Sequence, residues 1–98
     1  MSKEFGDLKD KVVLVTGGSG VLGSSISESL AEAGMRVAIT YRSGVSIKEK
    51  VDLWNKEGRN CIAIPMDVLD ANSIEEGKKV ILDTWGRIDV LVNAAGGN

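Results

Sequence analysis

The stretch VTGGSGVLGSS, residues 15–25, places four glycines within seven positions, directly after an apolar run and directly before residues with helical spacing. Gly18, Gly20 and Gly23 fit the spacing G-x-G-x-x-G. Between a strand and a helix that spacing carries a mechanism: a tight turn, close backbone approach to a pyrophosphate, and close packing of helix on strand. The first amides of a helix lack internal partners and stand at the positive end of its dipole, so a diphosphate is a fitting cap. Any side chain in the turn would hold the phosphate away. The competing reading is a glycine-rich turn with no ligand. A loop of the G-x-x-x-x-G-K-[ST] type shares the spacing of Gly18 and Gly23, but Ser24 stands where its lysine belongs, which argues against a nucleotide hydrolase.

A dinucleotide's ribose contact comes from the end of the second strand, about 20 residues after the loop, where a carboxylate accepts from a free 2′-hydroxyl. Thr40, Tyr41, Arg42 and Ser43 occupy that place, and none is acidic. A guanidinium flanked by a hydroxyl suits a 2′-phosphate, so Arg42 favours NADP(H) over NAD(H). The alternative is that Arg42 is a solvated loop cation.

Other chemistry is sparse. The chain has no histidine and a single cysteine, Cys61, which rules out an internal disulfide and removes the commonest metal ligand and general base. A net charge of −2 with scattered Lys and Arg argues against a nucleic-acid or membrane surface. No run approaches the ~18 apolar residues of a membrane helix, and the apolar run after Lys11 is too short for a signal peptide, so a cytoplasmic location is expected. At 98 residues and 43% hydrophobic, residues 1–98 read as one globular domain, short for an enzyme with a full substrate pocket.

The elements that must position these groups alternate. Val12 to Thr16 is a β-branched run without polar alternation, the pattern of a strand buried on both faces of a parallel sheet. Leu22, Ile26 and Leu30 mark a helix from Val21 to Ala33, with Gly34 at the C′ place. Arg36 to Thr40 is the second strand. Ile47, Val51 and Trp54 are the stripe of a second helix closed by Gly58, and Cys61 to Pro65 is the third strand. Asp67 follows in the loop. Asp70 and Asn72 are both plausible N-caps, Ser73 and Glu76 have capping-box spacing, and Ile74, Ile81 and Trp85 stripe a third helix that Gly77 weakens. Trp54 and Trp85 are expected in the core. Ile88 to Asn93 is the fourth strand. The order β-α-β-α-β-α-β implies parallel strands and right-handed crossovers, hence a Rossmann-type α/β sheet of order 3-2-1-4 with its ligand crevice between strands one and four. Strand four is then an apolar edge, and only the third helix covers the face opposite the first two.

Three linked motifs, TGGSGVLG (16–23), MDVLD (66–70) and DVLVNAAG (89–96), resemble the short-chain dehydrogenase/reductase family in order and spacing. The resemblance covers almost the whole chain, which corresponds to the N-terminal part of such an enzyme. It implies that the backbone of Gly17, Ser19, Gly20 and Leu22 lines the pyrophosphate, with the Ser19 hydroxyl adding a contact. It implies that Asp67 accepts from the adenine amino group, that the Val68 amide donates to the ring, and that Asn93, Ala94 and Gly96 border the adenosine ribose. Val21 departs from the family's usual glycine, with Gly20 beside it to supply the freedom. The family's catalytic Ser and Tyr-x-x-x-Lys would lie beyond residue 98, since Tyr41 is followed four residues later by Val45. The implied activity is hydride transfer between a nicotinamide cofactor and a hydroxy or keto substrate, by an enzyme that is a homo-oligomer. The spellings TGGSGVLG and NAAGGN look most like the branch of D-mannonate (fructuronate) oxidoreductases. The alternative is a dinucleotide-binding or sensor module without chemistry.

Overall fold

A computed structural model describes residues 8–17, 20–42 and 46–94. The elements are β1 (Val12–Thr16), α1 (Val21–Glu32), β2 (Arg36–Tyr41), α2 (Ser46–Lys56), β3 (Asn60–Pro65), α3 (Ala71–Trp85) and β4 (Val90–Asn93). All strand pairs are parallel and the sheet order is β3-β2-β1-β4, as expected.

The uninterrupted apolar run of β1 is explained by its central place, with all five residues buried. Its side chains alternate between two cores. Val13 and Val15 join Val37, Ile39, Ala31, Ile47, Val51 and Trp54 under α1 and α2. Val12 and Leu14 join Ala38, Ile64 and Ile81 under α3. Trp54 is a core residue at 5% exposure, whereas Trp85 is half-buried at the margin of the second core. No helix among the described residues is long and apolar enough to cross a membrane.

The face of α1 differs from the expected stripe. Leu22 is 64% exposed and Ile26 and Leu30 are half-buried, while Gly23, Ser24, Ser27 and Ala31 form the buried face. Small side chains let the helix lie close to the sheet, and the one fully buried hydroxyl is satisfied inside the helix: Ser27 Oγ donates to the Gly23 carbonyl at 2.7 Å. Gly34, at φ 94°, turns the chain from α1 into β2 as a C′ glycine.

At α3 the N-cap is Asp70, whose carboxylate accepts from the Asn72 amide at 2.9 Å. Ser73 does not complete a capping box; its hydroxyl accepts instead from the Asp67 amide at 2.8 Å. Of the expected stripe Ile81 is fully buried and Ile74 half-buried. Gly77 proves to be a contact residue: a Cβ there would run into Met66 Cε and lie 3.3 Å from Ile64 Cγ2, so the missing side chain lets α3 sit on β3. The fourth strand starts at Val90, two residues later than expected. Asp89 before it is engaged end-on, its amide donating to the Val12 carbonyl and its carboxylate accepting from the Val12 amide, both at 2.8 Å.

Candidate functional site

Because all four strands run the same way, their C-terminal ends share one end of the sheet. Thr16 and Gly17, Tyr41 and Arg42, Met66 to Val68, and Asn93 with Ala94 therefore converge there.

The turn after β1 is held from β2. Gly17 adopts φ 73°, a left-handed conformation that favours glycine, and its amide donates to Thr40 Oγ1 at 3.1 Å. Its carbonyl accepts from the Gly20 amide at 3.3 Å. Gly20 is the N-cap of α1, extended at φ −76° and ψ 170°, and its carbonyl accepts from the Ser24 amide at 2.9 Å. No side chain among the described residues caps α1, and its first turn has no acidic residue. The other helices differ: α3 has Asp70 and α2 has Glu49 in its first turn. The start of α1 thus keeps its positive end uncompensated. Val21 and Leu22, 88% and 64% exposed, flank that opening. Ser19 lies outside the described residues.

At the end of β2 the hydroxyl-bearing residues around Arg42 take different places. Thr40 is 2% exposed and its oxygen is the acceptor for Gly17, so it faces into the sheet end rather than toward solvent. Tyr41 is also buried, with the Lys48 ammonium 5.4 Å from its ring centroid. Arg42 itself is exposed and in no ion pair among the described residues. Ser43 lies outside them.

After β3, Asp67 closes its own turn. One carboxylate oxygen accepts from the Leu69 amide at 3.0 Å, which is the turn-stabilising role aspartate often takes. Val68 is 40% exposed and its amide has no acceptor among the described residues. At the end of β4, Asn93 ties the strand to β1, its Oδ1 accepting from Thr16 Oγ1 at 3.0 Å, and the Ala94 amide donates to the Thr16 carbonyl at 3.0 Å. Gly96 lies outside the described residues. A cavity of about 340 Å³ opens at this β1–β4 crevice. Leu14, Met66, Val68, Ile74, Ile88 and Leu91 wall it, and Thr16, Asn93 and Lys78 supply its polar groups.

The groups with shifted ionisation stand away from this end, near the strands' N-terminal ends. Burial pushes the Cys61 thiol up to about 11. The Arg87 guanidinium, helped by the Val12 amide, holds Asp89 below the ordinary carboxylate range. No group of three potential metal ligands occurs among the described residues. Among the described residues the site offers backbone donors, the exposed Arg42 guanidinium and an apolar wall, a set suited to holding a flat, anionic ligand. Sequence reasoning set Thr16 at the crevice end of the first strand and Thr40 at the end of the second, where both stand, but did not find the partners they take. The signal for both was a hydroxyl as the last or next-to-last residue of a buried strand, where it must find a partner.

A family model described as short chain dehydrogenase matches residues 11–98. The uncharacterised oxidoreductase UxuB of Bacillus subtilis is 41% identical over 92 residues, which are 94% of this chain and 33% of UxuB. The short-chain dehydrogenase/reductase homolog YusS of the same organism is 37% identical over 87 residues, 88% of this chain and 80% of YusS. The crystal structure of an NADPH-dependent 3-quinuclidinone reductase from Rhodotorula rubra superposes with a TM-score of 0.80 at 30% identity, covering 86% of this chain and 32% of that one. The chain therefore spans about a third of the length of UxuB and four fifths of YusS. Neither Bacillus description names a sugar acid.

Proposed function

Because this chain belongs to the short-chain dehydrogenase family, we propose that its described residues hold the adenosine end of a nicotinamide dinucleotide, with NADP(H) preferred. The uncapped start of α1, behind a glycine turn pinned by Thr40, carries this reading. The backbone of Gly17, Ser19, Gly20 and Leu22 would line the pyrophosphate, with the Ser19 hydroxyl adding a contact. The second carboxylate oxygen of Asp67 would accept from the adenine amino group, and the Val68 amide would donate to the ring. With its Oδ1 bound to Thr16, Asn93 has its amide nitrogen left for the ribose, beside Ala94 and Gly96. Once bound, the nicotinamide supplies or accepts a hydride, and the partner in that exchange is a hydroxy or keto compound. The spellings of the glycine turn and of NAAGGN extend this to a sugar acid such as D-mannonate or fructuronate. The catalytic Ser and Tyr-x-x-x-Lys, and homo-oligomer contacts, would belong to a longer cytoplasmic enzyme of which residues 1–98 are the N-terminal portion, in keeping with the one-third coverage of UxuB.

The cofactor preference rests on Arg42, exposed and unpaired among the described residues, and on the absence of a carboxylate at the end of β2. The structural neighbour named NADPH-dependent is consistent with it. A binding module without chemistry is the second reading, favoured by the 80% coverage of YusS. A coding sequence that continues past codon 98 into a Tyr-x-x-x-Lys would decide for the enzyme.

Calorimetric titration of NADPH and NADH against the protein and Arg42→Ala tests the proposal. NADPH should bind more tightly, and the variant should lose about tenfold of that selectivity, the scale of one charge-assisted contact. Failure of the unmodified protein to bind either nucleotide overturns the reading.

A further inference from the structure

Among the described residues the sheet ends on β3 at one side. In a parallel ladder successive residues turn their backbone groups alternately to the two sides. The Met66 amide donates to the Tyr41 carbonyl at 2.9 Å, so the even-numbered residues here face β2, and Arg59, Cys61, Ala63 and Pro65 face outward. Three of these outward positions offer no free donor. The Arg59 amide donates to the Trp54 carbonyl at 3.1 Å, closing the turn out of α2. Cys61 has both backbone groups taken by Asn55, whose Oδ1 accepts from the Cys61 amide at 2.8 Å and whose Nδ2 donates to the Cys61 carbonyl at 3.0 Å. Pro65 has no amide hydrogen. Ala63 alone keeps an outward amide, beside a groove lined by the charged side chains of Lys48 and Asp52.

We infer that Asn55 is an edge guard, a side chain standing in for a neighbouring strand so that a second copy of this chain does not add to the sheet at β3. A carboxamide carries the donor and acceptor of a peptide unit, so one asparagine can satisfy one outward residue completely. Asn55 lies in the last turn of α2, and Gly58, at φ 93°, turns the chain back into β3, which sets the side chain over the strand it closes. An open edge is a template for pairing with another chain, and proline and charge are devices that blunt it. β3 has both, at Pro65 and along the groove. Without Asn55, Cys61 and Ala63 would present two successive outward residues with donor and acceptor free, the repeat that an added strand pairs with.

Hydrogen exchange of the unmodified protein, followed by NMR, tests this together with sedimentation velocity of Asn55→Ala and of Asn55→Ala combined with Ala63→Pro. In the unmodified protein the Cys61 amide should exchange at least about tenfold more slowly than the Ala63 amide once intrinsic rates are allowed for, the scale of one hydrogen bond. Asn55→Ala gains helix propensity and adds no apolar bulk. It should associate with rising concentration beyond the unmodified protein. Ala63→Pro removes the remaining outward donor while sparing the ladder to β2, and should return the profile to that of the unmodified protein. Equal exchange of the two amides overturns the inference: equally fast, Asn55 does not hold Cys61; equally slow, the edge is already paired. A folded Asn55→Ala without added association, or with association that Ala63→Pro does not reverse, makes Asn55 a tether between α2 and β3 and overturns it as well. Should Asn55→Ala fail to fold, the exchange comparison decides.

Discussion

Replacing Thr40 by valine removes the oxygen that accepts from the Gly17 amide while nearly preserving shape at a position 2% exposed. A buried amide stripped of its partner costs about 1–3 kcal/mol, and Gly17 is half-buried, so the lower part of that range, about 1–2 kcal/mol, applies. The methyl that replaces the hydroxyl recovers up to about 0.8 kcal/mol by apolar burial. The net loss is about 1 kcal/mol, or roughly 4–8 °C in Tm for a domain of this length. Thr40→Ser is the control: it keeps the acceptor and loses a buried methyl, for about the same 1 kcal/mol. The two variants should therefore melt alike and bind differently. With Gly17 released, Thr40→Val should bind NADPH about tenfold more weakly, equivalent to about 1.4 kcal/mol, whereas Thr40→Ser stays within about twofold. Thermal melts by circular dichroism give the first quantity and calorimetric titration the second. Equal NADPH affinity for the two variants would refute the claim that β2 sets the phosphate turn, whatever the melts give.

Two further predictions concern the frame. Gly77→Ala gains about 1 kcal/mol of helix propensity but drives a methyl into Met66 and Ile64, an overpacking cost of about 1–3 kcal/mol. A net loss near 1 kcal/mol is expected in urea denaturation if Ile64 Cγ2, 3.3 Å from the added carbon, holds its place, and a stabilised variant would show that the flexible end of Met66 swings aside and Ile64 gives way. Asp89 governs acid sensitivity. Its carboxyl is depressed in the fold, chiefly by Arg87, so its stabilising effect is complete above the unfolded value near pH ~4 and is lost as pH falls through the lower folded value. Asp89→Asn keeps an acceptor for Val12 without titrating there, so its Tm should fall less steeply between pH 4 and 2. Parallel acid limbs would remove Asp89 from the explanation.

Strand content and order were legible because a parallel sheet writes itself as apolar runs separated by helical crossovers. β1 reads VVLVT and is buried throughout, and the return past it to β4 follows from handedness. The face of α1 was not legible by the same means. Apolar periodicity pointed to Leu22, but a helix that must lie close to a sheet buries its small residues, and Gly23, Ser24, Ser27 and Ala31 carry no hydrophobic signal. Gly77 misled for a related reason, since a close contact looks like a weak helix former until its neighbours Met66 and Ile64 are placed. Within the site, the positions after the strands were readable from motif spacing. The partners that fix them were not: which acceptor Gly17 finds, or that Ser73 serves Asp67 rather than a capping box, depends on hydrogen bonds between segments distant in sequence or on a choice between local alternatives.

The two edges of the sheet are finished differently, and this bears on what the site can hold. At β3 the Asn55 side chain donates to the Cys61 carbonyl at 3.0 Å and accepts from the Cys61 amide at 2.8 Å, the pair of bonds a neighbouring strand would form. Pro65, at the strand's end, has no amide hydrogen to offer. At β4 no side chain among the described residues takes both backbone groups of a residue in this way, and Val90 and Leu91 are 37% and 64% exposed. Leu91 also walls the crevice cavity. Among the described residues, the more exposed and apolar edge is thus the one that borders the crevice cavity. The groups assigned to the adenosine end are fixed by bonds closed within residues 16–94: Gly17 on Thr40, Asp67 on Ser73 and Leu69, and Asn93 on Thr16. Affinity for adenosine 2′,5′-bisphosphate should therefore be insensitive to whatever covers β4.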